Sequence, residues 1–145
     1  MSSTSQPTPR LHQISGAEEA EATLNLGEFT GKPTLSLSEA RLLINAVIAH
    51  RAGPHATKET ETLVKTQDYL DVFARFKQQE NINQVEGLLK DRMDMENFEK
   101  SQLGSLCCET AEEAKTLIPS LQNKISDVDL QDLLDEISKL RNFTE

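Results

Sequence analysis

The sequence predicts an all-α protein, and three observations lead to this prediction. Apolar residues recur at helical spacing in five consecutive segments after residue 58. These segments begin at capping residues, as in Thr110-Ala111-Glu112-Glu113, and several stop at Gly or Pro. The alternating segments 22–29 and 34–37 are too short and too isolated to build a sheet. We therefore expect an N-terminal extended arm and one helix, followed by a compact helical bundle.

The first helix is predicted to start at Ser36, because Ser36-Leu37-Ser38-Glu39 has the pattern of a capping box. It should end near Arg51, since Gly53-Pro54 follows at once. Its wide apolar face consists of Leu37, Leu42, Leu43, Ile44, Ala46 and Val47.

Five further helices are predicted, with brief turns between them. They span residues 58–77, 81–92, 94–106, 110–119 and 126 onward. Their apolar faces contain Leu63, Leu70, Phe73 and Phe76; Ile82, Val85, Leu88 and Leu89; Met95, Phe98 and Leu103; Ala114, Leu117 and Ile118; and Leu130, Leu133, Leu134, Ile137 and Leu140.

Composition divides the chain into four parts. Residues 1–22 are rich in Ser, Thr, Pro, Gln, Ala and Glu, and we expect them to form a flexible tail. Residues 23–51 hold a partner-binding extended arm and the first helix, which we expect to stand apart from the bundle. Residues 52–59 are a linker, and residues 60–145 form the bundle.

The charge balance excludes several classes of function. The chain has 15 Lys+Arg against 24 Asp+Glu, a net charge of -9. This opposes broad electrostatic binding to nucleic acid and to anionic membranes.

No run of about 18 apolar residues is present, so we expect no membrane association through a spanning segment. The two cysteines are adjacent and lack metal-ligand spacing, which favours a reducing compartment.

No constellation of catalytic residues is evident in the sequence. The histidines His12, His50 and His55 do not cluster, and no Gly-rich phosphate loop is present. Cys107 precedes a predicted helix N-terminus, which would activate its thiol, but a half-buried turn residue is the favoured interpretation. We expect no enzymatic activity, no cofactor and no metal.

A nucleic-acid role has one basis in the sequence. Arg75-Phe76-Lys77 places cations beside an aromatic residue, and Lys90-Asp91-Arg92 adds two more. Acidic residues are interspersed, so a solvated helix face is the favoured interpretation.

The arm carries apolar residues that little of the local chain can cover. An exposed apolar set of this size usually marks an interaction surface. Strand-like segments can join the edge of a partner's sheet, and an amphipathic helix can lie in a groove. The alternative is that the arm folds back onto the bundle; an external partner is favoured. The residues in question are Leu24, Leu26, Phe29, Leu35 and Leu37.

Four stretches make the chain resemble the fourth-largest subunits of eukaryotic RNA polymerase II. They are residues 24–29, residues 35–44, residues 65–77 and the blocks 109–121 and 130–137. Their order and spacing extend the likeness from about residue 22 to the end. These subunits belong to the polymerase stalk and are similar to their counterpart in the stalk of archaeal RNA polymerase.

The resemblance implies a non-catalytic nuclear subunit, also present in the cytoplasm, that pairs one-to-one with the β-rich seventh subunit. The pair would dock on the polymerase core near the clamp and the RNA exit path, support initiation and contact nascent RNA weakly. The bundle would have the helicase-and-RNase-D C-terminal (HRDC-like) fold. By position, the partner-binding residues are Leu24, Leu26, Phe29, Leu35, Leu37, Leu42, Leu43 and Val47.

Two alternatives remain open. The stalk subunit of RNA polymerase III shares the helical fold and a similar partner arrangement, although Ile118-Pro119-Ser120 and the start of the first helix favour polymerase II. A free-standing nucleic-acid-binding helical domain is the second alternative, and the charge of -9 opposes it.

Overall fold

The computed structural model describes residues 21–53 and 58–142, which contain six α-helices and no strand. The all-α prediction is confirmed, and the arrangement is compatible with an HRDC-like fold. Most of the predicted tail (1–20) and part of the linker (54–57) lie outside the described residues. The helices are α1 (Leu37–His50), α2 (Glu61–Phe73), α3 (Gln79–Lys90), α4 (Asn97–Leu106), α5 (Ala111–Leu117) and α6 (Asp127–Asn142), with short 3-10 helices at Gly27–Phe29 and Pro119–Leu121.

Two predicted capping boxes start α1 and α5. The Ser36 hydroxyl accepts a hydrogen bond from the Glu39 N–H at 3.2 Å, and the Glu39 carboxylate accepts from the Ser36 N–H. At α5, the Thr110 hydroxyl accepts from the Glu113 N–H at 3.1 Å. The Glu113 carboxylate then turns one residue further back and accepts from the Glu109 N–H at 3.0 Å. Both helix starts are therefore fixed by local sequence.

The second helix is shorter than the predicted 58–77. Thr60 caps its start, and the chain becomes extended at Ala74. Phe76 therefore lies outside the helix, yet it is only 1% exposed and belongs to the core. Its N–H donates to the hydroxyl of buried Ser38, 3.1 Å away. This long-range hydrogen bond replaces the helical partner that the sequence pattern predicted.

The third and fourth helices begin away from their predicted starts. α3 starts two residues before Asn81, and α4 starts three residues after Asp94. Neither start has a side-chain cap, so local sequence marks it weakly. Met95 lies in the turn before α4 and is still buried.

The core lies between α3, α4, α5 and α6. Its apolar positions on α3 and α6 agree with the predicted helical faces. The hydroxyl of Ser126 caps α6 by accepting from the Asp129 N–H at 3.2 Å. The largest fully buried apolar side chains are Phe76, Leu103, Leu121, Leu130, Leu134 and Ile137.

The expectation that the first helix stands apart from the bundle is wrong. α1 packs against α2, α3 and α4, and its Leu42 contacts the core. An ion pair between Arg41 Nε and Asp71 Oδ1, 2.8 Å apart, links α1 to α2. The domain boundaries at residues 22, 51 and 59 stay predictions.

An ion pair with a buried carboxylate joins α4 to the chain before α6. Glu99 is fully buried, and its Oε1 accepts a hydrogen bond from Lys124 Nζ. Its Oε2 has no hydrogen-bond partner among the described residues. Lys124 is the cation paired with this buried carboxylate, and breaking such a pair is costly because an uncompensated charge then remains inside the protein.

The two cysteines occupy the end of α4. Cys107 takes a left-handed conformation, with φ +49°, and both thiols are buried. Burial raises the pKa of the Cys107 thiol from 9.0 to about 11, only partly offset by Arg141 and Arg75 nearby. A thiol with a raised pKa is a poor nucleophile at neutral pH, which opposes the reactive interpretation.

We expect Leu103→Ala to lower the free energy of unfolding by about 2–5 kcal/mol, because Leu103 is completely buried in the core. The matched control is Leu106→Ala on the same helix, at a partly exposed position, with an expected loss below about 1 kcal/mol. Urea unfolding followed by circular dichroism measures both. Equal losses would contradict the placement of the core.

Stability should fall as pH rises from 9 to 11, because the unfolded Cys107 thiol ionises near 9.0 and the folded one near 11. The folded state thus binds this proton more tightly, and its contribution, roughly 2–3 kcal/mol, is present below pH 9 and lost above pH 11. Unfolding curves of the parent and of Cys107→Ala across this range measure the effect. Parallel pH profiles for the two proteins would contradict it.

Candidate protein-interaction surface

The structure divides the eight predicted contact residues into two groups by exposure. The exposed residues are Phe29 (67%), Leu35 (53%), Leu43 (54%) and Val47 (36%). The half-buried residues are Leu24, Leu26, Leu37 and Leu42. We call the exposed group the apolar edge. The assignment of all eight residues to a partner interface stays a prediction.

The second part of the arm, residues 32–37, is fixed to α4. We call it the stitched segment. It meets Asn97, Ser101 and Ser105, which are four residues apart and therefore share one face of the helix. Asn97 Nδ2 donates to the Lys32 carbonyl (3.2 Å), and Thr34 Oγ1 donates to the Asn97 carbonyl (2.8 Å). The Thr34 and Ser101 hydroxyls share a hydrogen bond of 2.5 Å. The Leu37 N–H donates to Ser105 Oγ (3.0 Å).

The first part of the arm, residues 21–31, lies over a groove of about 520 Å³. We call this part the strap. Leu24 and Leu26 line the groove from the strap side. Phe98 of α4 and Ile118 line it from the bundle side. The arm therefore does fold back onto the bundle, although two of its apolar residues, Phe29 and Leu35, remain exposed.

The apolar face predicted for the first helix is split between core and solvent. Leu42 packs on the core, whereas Leu43 and Val47, one turn apart, are exposed. At the start of the same helix, burial and the nearby Glu86 carboxylate raise the pKa of Glu39. Hydrogen bonds to Ser36 partly oppose this rise.

Because Leu43 and Val47 are exposed, α1 has an uncovered apolar strip on its outer side.

A second exposed apolar patch lies at the end of α2, and the sequence analysis missed it. Val72 is 73% exposed, and the rings of Tyr69 and Phe73 are 4.7 Å apart, with both residues largely exposed. The helical period contained the signal, because Leu63 and Leu70 share the inner face while Val72 falls on the opposite one.

The structure weakens the basis for nucleic-acid binding. Stacking on bases requires an accessible aromatic ring, and Phe76 is buried in the core. Lys77 Nζ donates to the Asp71 carbonyl. Arg75 and Lys77 therefore flank a core residue and do not frame an exposed ring.

Metal clusters and membrane spans are both absent from the described ranges. Residues 21–53 and 58–142 contain no group of three or more His, Cys, Asp or Glu side chains able to hold a metal ion. None of the helices described here is long and apolar enough to cross a membrane.

Comparison with known proteins identifies the family. The family model described as RNA polymerase Rpb4 matches residues 34–141. The DNA-directed RNA polymerase II subunit rpb4 of Schizosaccharomyces pombe is 49% identical over 131 residues, covering 88% of this chain and 96% of that protein. The corresponding subunit of Saccharomyces cerevisiae is 54% identical over 81 residues, covering 56% and 36%. The subunit of Dictyostelium discoideum is 34% identical over 160 residues, covering 94% and 99%.

The matched region begins within the stitched segment and runs through all six helices. It includes the whole core and three residues of the apolar edge, Leu35, Leu43 and Val47. The likeness to the Schizosaccharomyces pombe protein spans nearly the full length of that protein. The chain therefore belongs to the RNA polymerase Rpb4 family.

Proposed function

We propose that the chain is a non-catalytic subunit of DNA-directed RNA polymerase II that forms the stalk heterodimer with the seventh subunit. The pair docks near the clamp and the RNA exit path, where it supports transcription initiation and contacts nascent RNA weakly. The site of action is the nucleus. The names of the relatives, all RNA polymerase II subunits, support the assignment to this polymerase over polymerase III.

One observation carries the proposal: the apolar edge remains exposed although the core beneath it is complete. Leu43 and Val47 are uncovered while neighbouring Leu42 packs on the core. Phe29 and Leu35 extend the uncovered surface along the arm. A group of exposed large apolar side chains on one helix and the adjoining arm is typical of a protein interface. Burying each side chain fully would contribute about 1.5–3 kcal/mol before the costs of association.

The direct experiment is co-expression of the full chain with the seventh subunit of polymerase II, taken from the same genome. The polymerase III counterpart of that subunit is the matched control. Light scattering after gel filtration gives the mass of each product. A stable one-to-one complex with the first protein and none with the second is the expected result. A folded monomer in both cases would overturn the proposal.

The double variant Leu43→Glu with Val47→Glu should weaken the complex about 100-fold, or about 2.7 kcal/mol, because it places two charges in the apolar edge. Isothermal titration calorimetry measures the affinity. The control is Val128→Glu, at a 71% exposed position on α6, which should leave affinity unchanged.

Circular dichroism of both variants should show unchanged helix content, since all three positions are exposed. An affinity within threefold of the parent for the double variant would remove α1 from the interface. A large loss with Val128→Glu would instead place the partner on α6.

A further inference from the structure

We propose that the strap, residues 21–31, is releasable. In the free chain it covers the groove between α4 and the Pro119–Leu121 turn, and it leaves the groove when the partner binds. The stitched segment, residues 32–37, stays on α4 in both states. This inference rests on the proposed function for the identity of the partner.

The first support is the distribution of hydrogen bonds along the arm. Every hydrogen bond found between the arm and α4 in the described residues falls in the stitched segment. The bonds found within the strap are local: the Phe29 N–H donates to the Leu26 carbonyl at 3.0 Å, and Thr30 Oγ1 to the Gly27 carbonyl at 2.8 Å. Lifting the strap therefore breaks none of the hydrogen bonds that tie the arm to the bundle.

The second support is the packing beneath the strap. Close-packed interiors leave few voids larger than a water molecule, whereas a groove of about 520 Å³ remains unfilled beside Leu24, Leu26 and the bundle residues that line it with them. Ser120 lines the same groove, and its buried hydroxyl has no hydrogen-bond partner among the described residues. The strap therefore leaves the groove unfilled and provides no hydrogen-bond partner for the Ser120 hydroxyl.

The third support is the backbone at Gly27, inside the strap, and at Gly31, its last residue. Gly27 and Gly31 have φ angles of +55° and +72°, a region that glycine adopts without the penalty of a side chain. No atom lies within 4 Å of the position that a Cβ would take at either residue. Gly31 stands directly before the stitched segment, so rotation there moves the strap and leaves residues 32–37 in place, with loss of the 3.1 Å hydrogen bond from the Lys32 N–H to the Phe29 carbonyl.

Release also explains how the arm residues could serve one partner. Leu24 and Leu26 line the chain's own groove, while Phe29 and Leu35 are exposed to solvent. Release uncovers Leu24 and Leu26, which then become accessible to the partner together with Phe29 and Leu35.

The test uses two cysteine pairs, each closed with a short bismaleimide. Leu26→Cys with Phe98→Cys locks the strap, because both residues line the same cavities. Thr34→Cys with Ser101→Cys locks the stitched segment, whose hydroxyls already touch. Each variant capped with N-ethylmaleimide is its own unlocked control. The native thiols are buried and should not compete for reagent.

Locking the strap should lower affinity for the seventh subunit at least tenfold relative to the capped control. Locking the stitched segment should change affinity less than threefold. Equal affinities for the locked and capped strap variants would overturn release. If the unmodified parent chain fails to bind the seventh subunit, the proposed function fails, and the next measurement decides the strap separately.

Spin labels at exposed Glu28 and Val128 report the strap without any partner, and labels at Lys32 and Val128 are the control pair. Double electron–electron resonance on the full chain should give a distance distribution for the first pair at least twice as wide as for the second. Equally narrow distance distributions for the two pairs would show that the strap is held as firmly as the stitched segment and would overturn the proposal.

Discussion

The packing of α3 and of the start of α1 against α4 at Gly104 is the interaction around which the structure is organised. A Cβ at this position would lie 3.6 Å from Leu89 Cδ1, 3.6 Å from Ser36 Cβ and 3.7 Å from Val85 Cγ1. α3 and the start of α1 therefore meet on the backbone of one ten-residue helix. The neighbouring position, Leu103, enters the core, and Glu99 faces the chain before α6. The arm occupies a further face, so α4 contacts the arm, α1, α3 and the chain before α6.

Much of the fold follows from local pattern because capping and helical period are local properties. Ser36 and Thr110 mark helix starts that the structure reproduces, since each side chain bonds a backbone N–H three residues later. The residue at which α2 ends could not be predicted from local sequence pattern. The Phe76 N–H finds its acceptor in Ser38, 38 residues away, so no window of sequence reveals that the chain turns inward there.

The interaction surface was predictable only in part, for a related reason. Periodicity showed that Leu42 and Leu43 belong to one broad apolar face, but adjacent residues on a helix point about 100° apart. Which of the two meets the core depends on where α1 sits against α2 and α4. The hydroxyl and amide stripe of Asn97, Ser101 and Ser105 was visible in the sequence, yet an identical stripe would suit a solvated surface.

The fully buried carboxylate of Glu99 has a consequence for the order of folding. Its cation, Lys124, comes from a segment 25 residues later, beyond α5. An unpaired carboxylate in the interior is costly, so burial of Glu99 favours the docking of that segment. Partial structures that bury Glu99 without residue 124 are therefore disfavoured, and we expect the chain from α4 to the start of α6 to consolidate together.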